Sequence, residues 1–161
     1  MAGNLLAKYG TNGQTITITL ASLANGSARQ GVVVDNTGNT FIDALVFVKI
    51  KTGASGISAS GNVSLYFYGT VDGGTLYTDG ASGSDAGFTP TSPTNLLGVR
   101  VINAVATATQ YYGGPFSVAA AFGGVLPDHW GVVIANNTGA AFDATGGNFL
   151  VEYQGIEGQY T

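Results

Sequence analysis

The sequence predicts an all-β fold: an antiparallel β-sandwich of jelly-roll type, with long loops and an N-terminal arm. Three observations carry that expectation. Short segments of alternating apolar and polar residues recur along the 161-residue chain, and a period of two marks a strand with one buried face. The 26 glycines, with clusters of Asn, Asp, Ser and Thr, punctuate those segments at turn spacing. Almost nothing shows the 3.6-residue period of an amphipathic helix. About eight short strands in series, without crossover helices, imply two antiparallel sheets packed face to face.

Taken in order, residues 1–13 are small and polar with a few apolar residues (Leu5, Leu6, Tyr9), the pattern of an arm preceding a single domain over 14–161. The run "QTITITL" (14–20) alternates strictly, so a half-buried strand is expected there. The segment 29–52 reads as strand, tight turn, long strand. On the long strand Ile42, Ala44, Val46, Val48 and Ile50 share one face, and Phe41, Asp43, Leu45, Phe47, Lys49 and Lys51 share the other. That second face is apolar in its first half, as expected of a strand covered on both sides. "NVSLYFYGTV" (62–71) is another strand. Residues 72–95 form a long excursion rich in Gly, Asp, Thr, Ser and Pro, and residues 96–112 return to alternation. "PFSVAAAF" leads into a short helical turn broken by "GGVLPD", and two strands close the chain. A weak internal echo links "GVVVDNTGNTFIDA" (31–44) to "GVVIANNTGAAFDA" (131–144), read as two similar hairpins or a pseudo-symmetric pair of Greek keys.

Composition narrows the function. A chain of this length buries about 70% of its unfolded surface, enough for a core without staples. It has no cysteine, which excludes disulfides and thiolate chemistry. Charged residues make up only 9%, against about 25% in ordinary domains, a balance suited to a surface partly covered by neighbouring subunits. A net charge of −4 and five scattered basic residues argue against a nucleic-acid partner, which calls for clustered Lys and Arg. No apolar run approaches the length of a membrane span or a secretion signal, so cytoplasmic synthesis is expected and no membrane partner.

The only histidine, His129, follows Asp128 and precedes the only tryptophan, Trp130. Acid–base catalysis would need the imidazole oriented by a carboxylate and within reach of a nucleophile. Neighbours on an extended chain point to opposite faces, and no nucleophile motif is present. The stretch reads as a strand entrance: Pro127 turns the chain, Asp128 binds local amides, and Trp130 plugs the sandwich. Asp72, Asp79 and Asp85 lie in glycine-rich loops without calcium-loop spacing and read as turn residues. Tyr66, Tyr68, Tyr77, Tyr111, Tyr112 and Trp130 could form a sugar-binding platform, but strand aromatics more often fill cores or interfaces. No catalytic residue, metal site or cofactor is expected. Phe41, Leu45 and Phe47 are the candidate subunit interface, and Leu5, Leu6 and Tyr9 are candidate contacts made by the arm.

Several strings resemble a group of small virion proteins of tailed bacteriophages: Asn36-Thr37, Asp43-Ala44-Leu45, Phe122 to Pro127, Trp130-Gly131, Asn137 to Gly139, and Ala144 to Asn148. The resemblance covers residues 31–54 and 115–154. It implies a head decoration (cement) protein with a jelly-roll core, clustering as homotrimers on the capsid surface, with the major capsid protein as partner of the arm. A tail or fibre component, or a carbohydrate-binding module for host attachment, is the alternative.

Overall fold

Two antiparallel sheets organise the computed structural model, which describes residues 5–160. In chain order the strands are β1 (Leu5–Tyr9), β2 (Gln14–Thr15), β3 (Ala28–Gln30), β4 (Val34–Asp35), β5 (Asp43–Lys51), β6 (Asn62–Thr70), β7 (Ala86–Phe88), β8 (Leu97–Asn103), β9 (Gln110–Ser117), β10 (His129–Asn137) and β11 (Leu150–Tyr160). One sheet runs β1-β11-β5-β9, with β2 also on β11. The other runs β7-β3-β10-β6-β8, with β4 also on β10. The chain therefore changes sheet between β2 and β3, β4 and β5, β5 and β6, β8 and β9, β9 and β10, and β10 and β11. The described residues contain no α-helix, only three 3-10 turns. The fold is all-β, as the alternation predicts.

The core is built from the inward rows. Ala44, Val46, Val48 and Ile50 of β5 are fully buried, as are Val63, Leu65 and Phe67 of β6 and Trp130, Val132 and Ile134 of β10. Trp130 packs edge-on against Tyr153 of β11, ring centres 5.2 Å apart. A second, smaller apolar cluster lies on the outer face of the second sheet. There Tyr68, Val133 and Ala28 are roofed by Ala81 and Leu96, with Tyr77 and Phe88 packed against them. The long excursion after β6 is thus a cover: Tyr68 meets Tyr77 edge-on at 5.5 Å and donates its hydroxyl hydrogen to the Gly31 carbonyl at 2.7 Å.

Three expectations need correction. The segment read as an arm is β1 and β2, aligned along β11 from Leu5↔Tyr160 to Thr15↔Glu152; residues 1–4 lie outside the described residues. The alternation of 14–20 is real in burial, with Ile16 and Leu20 inside, but only Gln14 and Thr15 belong to a strand. Past them the chain leaves one sheet for the other: Ile16 N–H donates to Val151 of the first, and the Thr17 carbonyl accepts from Val32 beside the second. At the start of the long strand the faces invert, because Phe41 is buried at 7% exposure while Ile42 is exposed. The chain is still turning there, and β5 begins only at Asp43.

The echo between 31–44 and 131–144 is a pair of corners, not hairpins. Each carries the chain from the second sheet into the first, β4 to β5 and β10 to β11, and the two are neighbours in both sheets through β4–β10 and β5–β11. Asn36 and Asn136 hold equivalent places in them. Each is buried and each ties its corner through its side-chain amide, Asn36 to Phe41 and Asn136 to Leu23, Thr138 and Ala140.

Candidate functional site

His129 opens β10, directly opposite Asp35 and Thr70 on the neighbouring strands. Its Nε2 lies 3.7 Å from an Asp35 oxygen, and its Nδ1 lies 3.6 Å from an Asp128 oxygen. The approach to Asp128 is closer than an extended chain suggests, but both distances exceed those of a hydrogen bond. The Asp128 carboxylate instead accepts the His129 backbone N–H at 2.8 Å, and Nδ1 is buried without a partner. Above the ring, a Cβ on Gly74 would stand 3.0 Å from the Tyr77 hydroxyl and 3.4 Å from His129 Cδ2, so the 72–76 turn lies against both side chains.

The carboxylates around this pocket are already engaged. Asp72 accepts from the Thr70 hydroxyl at 2.5 Å and from the Thr75 and Leu76 amides. The Thr70 bond, ahead of those amides, holds its carboxyl below the usual range. Asp35 accepts from the hydroxyl and amide of Thr37, which lower it likewise. Burial, followed by the charges of Asp72, Asp128 and Asp35, pushes the Tyr77 hydroxyl up, keeping it neutral. Acid–base chemistry needs a histidine hydrogen-bonded to its orienting carboxylate and to a proton donor, and His129 makes neither bond. Among the described residues no group of three His, Asp or Glu side chains converges as a metal shell.

The other loop acids are also turn and loop fasteners. Asp79 gathers the Thr91 amide and hydroxyl, the Thr94 hydroxyl and the Asn95 amide, binding the 89–96 stretch to the turn at 78–80. Asp85 joins Arg29 to Thr19. The aromatics do not form a platform: Tyr68 and Trp130 have no exposure, Tyr66 and Tyr77 pack into the second cluster, and Tyr111 lies against the core. Tyr112 alone among them is largely exposed, at 62%. Comparison with protein-family models, curated proteins and solved structures finds no match for the chain.

What remains is a surface. On the outer face of the first sheet, register places Leu45 beside Gln154, Phe47 beside Glu152, and Lys49 between Leu150 and Tyr112. Ile156 links this row to Tyr9 of β1. Leu45 and Phe47 are half-buried there, and the Phe47 ring stacks on Tyr112 at 6.2 Å. They line a groove of about 350 Å³ with Pro115 and Glu152. Phe41, grouped with them on sequence, is not on this face. Its ring fills the space over Gly10 and Gly155, within 2.5 Å of where a Gly155 Cβ would stand, and it belongs to the core. Leu6 and Tyr9 are exposed, but on a paired edge strand. Sequence reasoning missed Tyr112 and Ile156 as parts of this face. The alternation of Tyr112 with inward Tyr111 was the available signal, readable only once the partner strand was known.

The two sheets are thus treated differently by the chain. The second sheet's outer apolar face has its own roof in the long excursion. On the first sheet's outer face, among the described residues, only Asn12 and Gly13 border the groove at Leu45 and Phe47, and Tyr9 and Tyr112 stay largely exposed.

Proposed function

We propose that this chain is a non-enzymatic structural protein of a tailed-phage virion, decorating and stabilising the head as a homotrimer bound to the lattice of the major capsid protein. The half-buried apolar row on the outer face of the first sheet carries this reading. Contiguous apolar surface marks interfaces, and Tyr9, Ile156, Leu45, Phe47 and Tyr112 follow one another on a face that, among the described residues, has no cover like the excursion over the second sheet. The strand order supports a jelly roll. With β1 and β2 counted as one strand, β3 and β4 as another, and the short β7 as part of the excursion, eight strands form two four-stranded sheets. Successive strands alternate between the sheets except where β6 and β8 share one. That order supports reading the fold as a double Greek key of the kind found in viral capsid and lectin domains. The resemblance of residues 31–54 and 115–154 to small phage virion proteins points the same way.

The mechanism is linkage. A protein that binds only the assembled lattice stabilises it by RT ln(1 + [L]/Kd), about 2.7 kcal/mol per site at a hundredfold excess over Kd. Summed over many lattice sites, this raises the temperature at which a packed head bursts. The test is to compare heads with and without the protein. Heads lacking it should release DNA at a lower temperature and regain wild-type resistance when it is added back. Equal heat resistance, or localisation to the tail in a reconstruction of the virion, would overturn the decoration role.

A further inference from the structure

We propose that Asn12-Gly13, in the turn between β1 and β2, is a self-modifying site. The Asn12 side chain cyclises onto the Gly13 backbone and is hydrolysed to aspartate and isoaspartate. Asn25-Gly26, the other Asn-Gly pair in the sequence, is held back by the fold. What separates the two pairs is the state of one atom, the glycine nitrogen.

The reaction needs only water. The Gly13 nitrogen adds to Asn12 Cγ, and an N–C bond forms. The nitrogen's proton passes through solvent to Nδ2, the Cγ–Nδ2 bond breaks, and ammonia leaves a cyclic imide. Water then opens the ring. Breaking the new N–Cγ bond gives aspartate; breaking the bond from the nitrogen to the Asn12 main-chain carbonyl gives isoaspartate, with the chain running through Cβ. Nothing is oxidised or reduced. Glycine is the residue that best permits the attack, because it has no Cβ in the way and the widest backbone freedom. Gly13 is left-handed, at φ +60°, so the turn itself favours glycine there.

The two pairs are otherwise matched. Both are exposed, and each asparagine Oδ1 accepts one hydrogen bond, Asn12 from the Gln154 amide and Asn25 from the Gly139 N–H at 2.7 Å. Such a bond does not oppose attack, since Oδ1 is where negative charge gathers as the nitrogen adds. The attacking nitrogens differ. Gly26 N–H donates to the Asn136 carbonyl at 2.7 Å. Asn136 is fully buried on β10 and tied to Leu23, Thr138 and Ala140, so its carbonyl cannot follow the nitrogen. Gly13 N–H donates to no acceptor among the described residues. To react, Gly26 must first give up a hydrogen bond, about a tenfold penalty in rate; Gly13 gives up none. Asn12 and Gly13 border the groove at Leu45 and Phe47, and Glu152 Oε2 lies 3.1 Å from where a Gly13 Cβ would stand. The reaction therefore brings a second carboxylate to the groove that Glu152 already lines. Isoaspartate also adds a main-chain carbon to the turn that sets β1 and β2 along β11.

The experiment holds purified full-length protein at neutral pH and body temperature for weeks, one sample folded and one in guanidinium. Peptide mapping by mass spectrometry, with chromatographic separation of aspartyl from isoaspartyl peptides, follows both pairs. In guanidinium the two should react at similar rates. In the folded protein Asn12 should convert about tenfold faster than Asn25 and give both products. Hydrogen exchange on fresh folded protein should find the Gly26 amide protected and the Gly13 amide open. Asn12 remaining intact in the folded protein, or reacting no faster than Asn25, would overturn the inference. A difference that persists in guanidinium would overturn it too, because the fold would then not be its cause. Equal exchange at the two glycine amides would remove its basis.

Discussion

The side chain of Asn36 binds the backbone of Phe41 in both directions. Its Nδ2 donates to the Phe41 carbonyl at 3.0 Å, and its Oδ1 accepts the Phe41 N–H at 3.0 Å. One buried amide thus satisfies both polar groups of the residue that turns into β5. Replacing Asn36 with Leu should leave those groups buried and unpaired, at a cost of about 1–3 kcal/mol. The equivalent Asn136→Leu should cost at least as much, because its amide serves Thr138 and Ala140 of the other corner and Leu23 from outside it. Urea unfolding followed by circular dichroism measures both; a loss under a few tenths of a kcal/mol would contradict the assigned role.

Phe41 and Phe47 should separate stability from association. Phe41→Ala removes a core ring and is expected to cost about 3–5 kcal/mol while leaving the association surface in place. Phe47→Asp should change the unfolding midpoint little and abolish self-association. The same two proteins, examined by urea titration and by sedimentation, check both halves. If Phe41→Ala dissociated the oligomer without loss of stability, its placement in the core would be wrong.

Acid should loosen the 89–96 loop before it unfolds the sandwich. The Thr91 hydroxyl first, with Asn95, the Thr91 amide and Thr94, binds the Asp79 carboxylate and outweighs the opposing effect of burial, holding its pKa down to about 2. A carboxyl lowered on folding stabilises the fold above its unfolded value, about 3.9, and that contribution is lost as pH falls from there through about 2. Asp143, fastened by Thr145 and Asn148 and drawn down to about 2, follows the same course near β11. Hydrogen exchange should show protection in 89–96 falling across this window, and Asp79→Asn should show it at neutral pH. Unchanged protection in Asp79→Asn would count against the latch.

Two glycine-to-alanine changes should differ sharply. A Cβ on Gly131 would fall 2.3 Å from the ring of Tyr68, which is fully buried and hydrogen-bonded to Gly31. Gly131→Ala should therefore cost about 1–3 kcal/mol through overpacking. Gly87 on β7 has nothing within 4 Å of its Cβ position, and Gly87→Ala should be near neutral. Equal thermal midpoints for the two variants would contradict the packing of Tyr68 over β10.

The legible part of the fold was what period two can express. Val46, Val48 and Ile50 alternate with Phe47 and Lys49 in the sequence, and the structure alternates full and partial burial in that order. Trp130 as a plug and His129 as a strand entrance followed from a proline turn before a β-branched run. Partners were not legible, because strand pairing here is set by residues far apart in the chain. Nothing local in "LLAKY" says that it lies along β11, so it looked like an arm. Phe41 was misplaced for a related reason: periodicity presumes an extended chain, and at residues 36–42 the chain bends around Asn36. The roof over Tyr68 was hidden inside a segment whose Gly, Ser and Pro content reads only as loop.

The pairing of Leu5–Tyr9 with Ile156–Tyr160 also governs when the molecule can finish folding. A ribosome delivers β1 long before its partner, so the edge of one sheet must wait, unpaired, until the strands between them have emerged. Contacts of such long sequence separation close late, after the loop entropy between them has been overcome. During that interval β5 is the inner strand of an unfinished sheet, with Leu45 and Phe47 beside an empty place where β11 will lie. Nascent chains crowded on one message would be at their stickiest then, and the arrival of β11 ends that exposure.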